Sequence, residues 1–140
     1  MIITTAKPQD ALALFALEMD TFEPWNAPLS KRSFRYHIAK NLLLVAKNDE
    51  KILGYALVLT SSKCPRLYSL AVSKEAARQG IGTALLKEVF TRISRPCLRL
   101  EVRQDNTHAI RLYEKLGFSI VGQKKAYYDD GCDAFIMKWK

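Results

Sequence analysis

The chain has 140 residues, 49% hydrophobic and 26% charged, with a formal net charge of +8 at pH 7. This is the profile of one folded domain over residues 1–140, large enough to build a core without disulfides or metal. It excludes a membrane-spanning helix, since no apolar run approaches about 20 residues, and the opening MIITTAKPQD has neither the basic start nor the apolar stretch of a signal peptide.

In chain order, Met1 to Thr5 predicts a short strand, and Pro8 starts a helix to about Asp20 with Leu12, Phe15 and Met19 on one side. After a loop with Pro24, Trp25 and Pro28, Ser30 is a candidate N-cap for a basic helix, KRSFRYHIAK. Its i, i+4 spacing turns Phe34 and Ile38 inward. NLLLVAK and ILGYALVLT flank the turn residues Asn48 and Asp49 and read as a hairpin. RLYSLAV, Arg66 to Val72, is a further strand. Behind a glycine-rich start, ARQGIGTALLKEVFTRI places Ile81, Leu85, Val89 and Ile93 at helical spacing. LRLEV is a strand, Thr107 to Leu116 a helix and FSIVGQ a strand. The DDG at Asp129 to Gly131 marks a tight turn before the last strand, DAFIMKW. The order β-α-α-β-β-β-α-β-α-β-β is that of an α/β (α+β) domain with a mixed sheet.

Cys64, Cys97 and Cys132 are odd in number, far apart and form no CxxC pair. With His37 and His108 as the available histidines no metal site is expected, and reduced thiols in a cytoplasm are the simplest reading. The positive charge points to an anionic partner: nucleic acid, a polyphosphate cofactor or an acidic peptide. The dense run Lys31 to Lys40 reads as the solvated face of its helix, and no RNP, KH or helix-turn-helix signature accompanies it.

Three features carry chemistry. RQGIGT, Arg78 to Thr83, lies between a strand and a helix. There, unpaired N–H groups, the helix dipole and the missing side chains of Gly80 and Gly82 suit an anion, with Arg78 as an added charge. The same pattern also serves a tight strand–helix junction. Strand alternation puts Leu98, Leu100 and Val102 on one face and Arg99, Glu101 and Arg103 on the other, so Glu101 faces solvent, a cleft or a ligand. Asn106 is placed to cap the next helix. Tyr113, in that helix, reads as a core residue with its hydroxyl at the rim.

Together, ARQGIG and LEVRQDNTHAIRLYEKLGF resemble the GNAT superfamily of acyl-CoA-dependent N-acyltransferases, over essentially the whole chain and most densely from Arg66 to Phe118. The longer stretch is similar in particular to the bacterial ribosomal-protein alanine N-acetyltransferases. The resemblance implies a single GNAT-like domain, with a mixed, mostly antiparallel sheet of about seven strands and about four helices. It implies direct transfer of acetyl from acetyl-CoA to a primary amine, with a peptide or protein N-terminal α-amine as the leading acceptor. The alternatives are a small amine (polyamine, amino acid or aminoglycoside) and a catalytically silent acyl-CoA-binding module. The expected protein is cytoplasmic, a monomer or homodimer, free of metal, membrane and specific nucleic acid.

The resemblance also assigns roles. Leu70, Ala71 and Val72 pair by backbone with the pantetheine arm; Arg78, Gln79, Gly80, Ile81, Gly82 and Thr83 hold the pyrophosphate; Asn106 touches the pantetheine. Tyr113 is the proton donor at the thioester sulfur, and Glu101 the base that receives the amine proton through water. The segment Phe22 to Ser30 with Trp25, and the turn with Tyr127, Tyr128 and Asp129, form the acceptor side. Two departures stand out: Ala77 replaces a glutamine or arginine of the cofactor motif, and FEPWNAPLS replaces a shorter Phe-Pro-Trp-Ser. An α-amine with a pKa of about 7.7–8 suits a carboxylate base better than lysine at about 10.4.

Overall fold

The computed structural model describes residues 1–21, 23, 27–94 and 96–139; Trp25 lies outside the described residues. The elements are β1 (Ile2–Thr5), α1 (Ala11–Thr21), α2 (Lys31–Lys40), β2 (Leu42–Asn48), β3 (Lys51–Leu59), β4 (Arg66–Val72), α3 (Ile81–Arg92), β5 (Leu98–Arg103), α4 (Thr107–Lys115), β6 (Ser119–Lys124) and β7 (Ala134–Trp139), in the order read from the sequence. The strands form one sheet in the order β1-β2-β3-β4-β5-β7-β6. Its β4–β5 contact is parallel and the remaining pairings are antiparallel.

Side-chain alternation explains the layering. Along β2, Leu43 and Val45 point to one face, where they pack with Leu14, Leu17 and Phe34 of α1 and α2. Leu44 and Ala46 point to the other and pack with Leu85, Leu86 and Val89 of α3. A strand buried on both faces reads as a continuous apolar run, as LLLV does. Ser30 caps α2, its Oγ accepting from the Ser33 N–H at 3.1 Å, and Phe34 is fully buried as expected. Helix α1 differs. Ala11, Leu14 and Leu17 are its buried face, whereas Leu12 and Met19 are 65% and 49% exposed. A 3₁₀ turn at Pro8–Asp10, held by Asp10 Oδ2 accepting from the Lys7 N–H, sets the rotation of α1 before its first full turn. The apolar spacing could not reveal this, because α1 is apolar nearly all round.

The sheet comes apart in its middle. Strand β4 pairs with β3 as far as Gly54↔Val72, and β5 pairs with β7 as far as Arg103↔Ala134. Between β4 and β5 the register holds at Arg66↔Arg99 alone. The β3–β4 register passes from Leu57↔Ser69 to Val58↔Leu67, which leaves Tyr68 as an extra residue in β4. Such a bulge bends its strand and increases its twist, here where the two strands diverge. Beyond Arg66 the facing edges of β4 and β5 therefore carry backbone groups not paired with each other.

At the vertex of this fork, Cys64 and Cys97 form a disulfide with Cα atoms 5.2 Å apart, while Cys132 is a free thiol. The reading of three reduced thiols is corrected. Parallel strands bring their entry segments side by side, so two cysteines 33 residues apart meet two positions before Arg66 and Arg99. Linear spacing carries no trace of that contact.

Candidate active site

The fork opens a cleft of about 820 Å³ between β4, β5, α3 and α4. One end is the start of α3. Gly80 has φ +76° and Arg78 φ +66°, so the chain turns twice through the left-handed region before the helix begins. For Arg78 this costs about 1–2 kcal/mol, a strain typical of turns that must present backbone to a ligand. The Ala84 N–H donates to Gly80 O, and the preceding N–H groups of the first turn have no intrahelical acceptor. A Cβ added at Gly80 meets nothing within 4 Å, and one at Gly82 meets Leu112, Leu70 and Val72 at 3.8–3.9 Å, ordinary contact distances. Packing does not demand the second glycine; it keeps open the space in front of the helix start.

Leu70, Val72, Arg78, Gly80, Ile81, Gly82, Thr83, Asn106 and Tyr113 all line the cleft. Ala71 alternates to the opposite face and packs against the α1–α2 layer, and Gln79 is not on the wall. Three basic residues of α4 that the sequence reading passed over, His108, Arg111 and Lys115, line it as well. Their i, i+3, i+7 spacing was the available signal of one basic helical face. The Asn106 side-chain oxygen accepts from the Ala109 N–H at 3.1 Å, so its capping role is real.

Tyr113 is buried against Phe118, ring centroids 5.5 Å apart, and its carbonyl accepts from Leu116 and Phe118 at the end of α4. Burial, aided by nearby Tyr128, pushes its hydroxyl well above the ordinary tyrosine value. Gly117 ends the helix at φ +103°, with Trp139 3.1 Å from where a Cβ would stand.

A second cavity of about 330 Å³ is lined by Arg66, Leu67, Tyr68, Glu101, Tyr127, Tyr128 and Asp129. Glu101 belongs to the walls of both cavities, as do Leu67, Tyr68 and Tyr128. Its side chain is 4% exposed, yet it is not isolated: Oε1 accepts from Arg66 Nε at 2.7 Å, and Oε2 accepts from Lys124 Nζ at 3.3 Å. Arg66 Nη2 also donates to the Tyr127 hydroxyl at 2.9 Å.

The turn after β6 is stapled to the sheet. Arg103 at the end of β5 donates two hydrogen bonds to Asp130 and two to Asp105. Asp133 accepts from Gln123 and from the Ala126 N–H. These contacts present Tyr127, Tyr128 and Asp129 to the cavity. Asp130 is thus committed to holding the turn, and Asp129 is the acid that faces the cavity. The Tyr128 hydroxyl is pushed up to about 12, chiefly by burial. On the far side, Glu18 of α1 accepts from the Tyr55 hydroxyl at 2.6 Å and from the Leu29 N–H at 2.8 Å. Tyr55 also meets Ser69 on the cleft wall at 2.8 Å, which ties the α1–α2 connection to β4. Nothing in the local sequence marked Glu18, whose partners lie 11 and 37 residues away.

Residues 11–118 match the acetyltransferase (GNAT) family. An uncharacterized protein of Mycobacterium leprae is 30% identical over 146 residues; the match takes in 99% of this chain, which spans 40% of that relative's length. An N-alpha-acetyltransferase of Mycobacterium tuberculosis is 30% identical over 139 residues, covering 92% of this chain and 85% of its own. The ribosomal-protein-S18-alanine N-acetyltransferase of Escherichia coli superposes with a TM-score of 0.88 at 29% identity, over 99% of this chain and 92% of that one. The match extends from α1 to the residue before β6 and takes in the forked strands, the helix-start turn and Glu101; the chain belongs to the acetyltransferase (GNAT) family.

Proposed function

We propose that the protein transfers acetyl from acetyl-CoA to the N-terminal α-amine of a peptide or protein, with residues 1–140 acting as one acetyltransferase domain. The observation that carries this reading is the place of Glu101, on the shared wall of a long cleft and a second, smaller cavity. The cleft fits acetyl-CoA. It offers orphan helix N–H groups, the cations Arg78, Arg111 and Lys115 and the His108 ring for phosphates, and an unpaired β4 edge for the amides of the pantetheine arm. Leu70, Val72 and Leu112 supply apolar walls.

In the reaction the amine nitrogen forms a bond to the thioester carbon, the C–S bond breaks, and the amine loses a proton. Glu101 orients the incoming ammonium and receives its proton, directly or through water. It does so by exchanging one of its present partners, of which Lys124, at 3.3 Å, is the most exposed, at 44%. Tyr113 keeps its proton and donates a hydrogen bond to the sulfur as negative charge develops there. Its raised pKa makes full proton transfer to a thiolate of about 8.5 strongly uphill, so hydrogen-bond donation is its role. Asp129 and the aromatic rings of Tyr127 and Tyr128 guide the amine in.

The two relatives named as N-acetyltransferases support an α-amine acceptor. The test is a thiol-release assay with acetyl-CoA against short peptides, polyamines, amino acids and aminoglycosides, with fragmentation to locate the acetyl group. Acetyl on the peptide α-amine is expected; exclusive use of lysine side chains or small amines overturns the reading. Dependence on acetyl-CoA favours a cytoplasmic enzyme. The Cys64–Cys97 disulfide stands against that location, and a thiol count in freshly lysed cells decides between them.

A further inference from the structure

Where it meets the smaller cavity, Glu101 gathers more positive charge than one carboxylate needs: Arg66 lines the cavity, and Arg99 and Lys124 flank it at the Glu101 side chain. Arg66 Nε lies 2.7 Å from Glu101 Oε1, while Lys124 Nζ and Arg99 Nη1 lie 3.3 and 3.6 Å from Oε2. Three cations converge on one carboxylate that is 4% exposed, and they are themselves 24%, 38% and 44% exposed for Arg66, Arg99 and Lys124. Ring faces hold two of them in place: Arg66 stands 5.3 Å from the Tyr68 centroid and Lys124 5.1 Å from that of Tyr127. One cation neutralises Glu101. Asp129, the other acid on the described cavity wall, offsets a second, which leaves one positive charge in surplus. An acceptor that brings only an ammonium adds a further positive charge to this cluster. One that also brings a carboxylate satisfies the cations it displaces, and like-charge repulsion then rejects basic competitors.

Resting on the peptide α-amine reading, we propose that the site selects peptides with an acidic side chain at their first or second residue. The ammonium replaces Lys124 at Glu101, and the carboxylate is taken by the freed Lys124 with Arg99. Both cations stand within 3.6 Å of the carboxylate that receives the amine, so the acidic group must lie within about one residue of it. Arg66, bound to both Glu101 and Tyr127, stays as the fixed wall.

The test is kcat/KM of the full chain with acetyl-CoA on peptides identical except for their first two residues: Ala-Ala, Asp-Ala, Ala-Glu and Ala-Lys, with free glutamate as a separate arm. The better acidic peptide should exceed Ala-Ala by roughly tenfold, the scale of one charge-assisted hydrogen bond, and Ala-Lys should be poorest. In a Lys124→Glu, Arg99→Gln double variant with native near-ultraviolet dichroism, that ratio should fall to one or invert. Equal rates across the set, or an acidic preference indifferent to both substitutions, overturns this proposal alone. Turnover on no peptide overturns the α-amine reading with it, and free glutamate outpacing every acidic peptide overturns the peptide as acceptor.

Discussion

The cleft beside α3 is built largely from backbone, whereas the cavity beside Tyr127 is built from side chains. The cleft relies on the first turn of one helix, the open edge of one strand and two glycines two positions apart. The cavity relies on Arg66, Glu101, Lys124 and Tyr127, partners separated by 23 to 61 residues and joined by hydrogen bonds. A backbone site tolerates changes in side chains as long as the chain path and the free space persist. A side-chain site is lost, or re-aimed, with single substitutions. The first suits a common co-substrate and the second suits a selected acceptor.

The largest expected effect tests the backbone half. Gly82→Leu should fill the space before α3 and abolish acetyl-CoA binding by calorimetry, while the fold survives. Gly82→Ala sharpens the point. Its Cβ meets nothing closer than 3.8 Å, and alanine is the better helix former by up to about 1 kcal/mol. Melting should rise while acetyl-CoA affinity falls; affinity unchanged in both variants would place the cofactor elsewhere.

Next comes the vertex that both halves share. Removing the Cys64–Cys97 bridge, by reduction or by Cys64→Ser with Cys97→Ser, should cost about 3–4 kcal/mol in urea unfolding for a 33-residue loop. Because the bridge clamps the strands that carry Arg66 and Glu101, the acceptor KM should rise more than that of acetyl-CoA. Equal changes in both would make the bridge a general staple of the fold.

Much of the backbone half was legible in the sequence and little of the other. RQGIGT is contiguous, and the polar face of LRLEVR follows from strand alternation, so the cleft and Glu101 could be read locally. The Arg66–Glu101 pair, the disulfide and the Glu18–Tyr55–Ser69 chain exist only because the sheet brings distant positions together. The DDG turn was visible, but which of its acids faces the cavity was not. The guanidinium that claims Asp130 lies 27 residues back, on β5.

That division predicts different outcomes for the two acids. Asp129→Asn should raise the acceptor KM several-fold and leave stability alone. Asp130→Asn should instead loosen the turn, seen as a lower melting temperature and weaker near-ultraviolet dichroism from Tyr127 and Tyr128. Hydrogen bonds from Arg103, then from the Cys132 N–H, hold the Asp130 carboxyl below its ordinary value of 3.8. Its contribution to stability is therefore complete above about that pH and is lost as pH falls further through the depressed folded value. The native turn should loosen only in strong acid, and the variant should show no such step.

Tyr113→Phe has the narrower effect. Among the described residues the hydroxyl has no protein partner, so stability and acetyl-CoA affinity should hold while kcat drops about 10- to 100-fold, with no recovery at high pH. The measurement closest to the central claim is kcat/KM of Glu101→Gln on a confirmed peptide acceptor, followed across pH 6 to 9. Glutamine keeps the shape and cannot take a proton, so a fall of about 10²–10⁴-fold is expected. Partial recovery should follow as the α-amine, with a pKa of about 7.7–8, deprotonates unaided. A variant that matches the native enzyme at every pH would show that the carboxylate between the two cavities takes no part in the transfer.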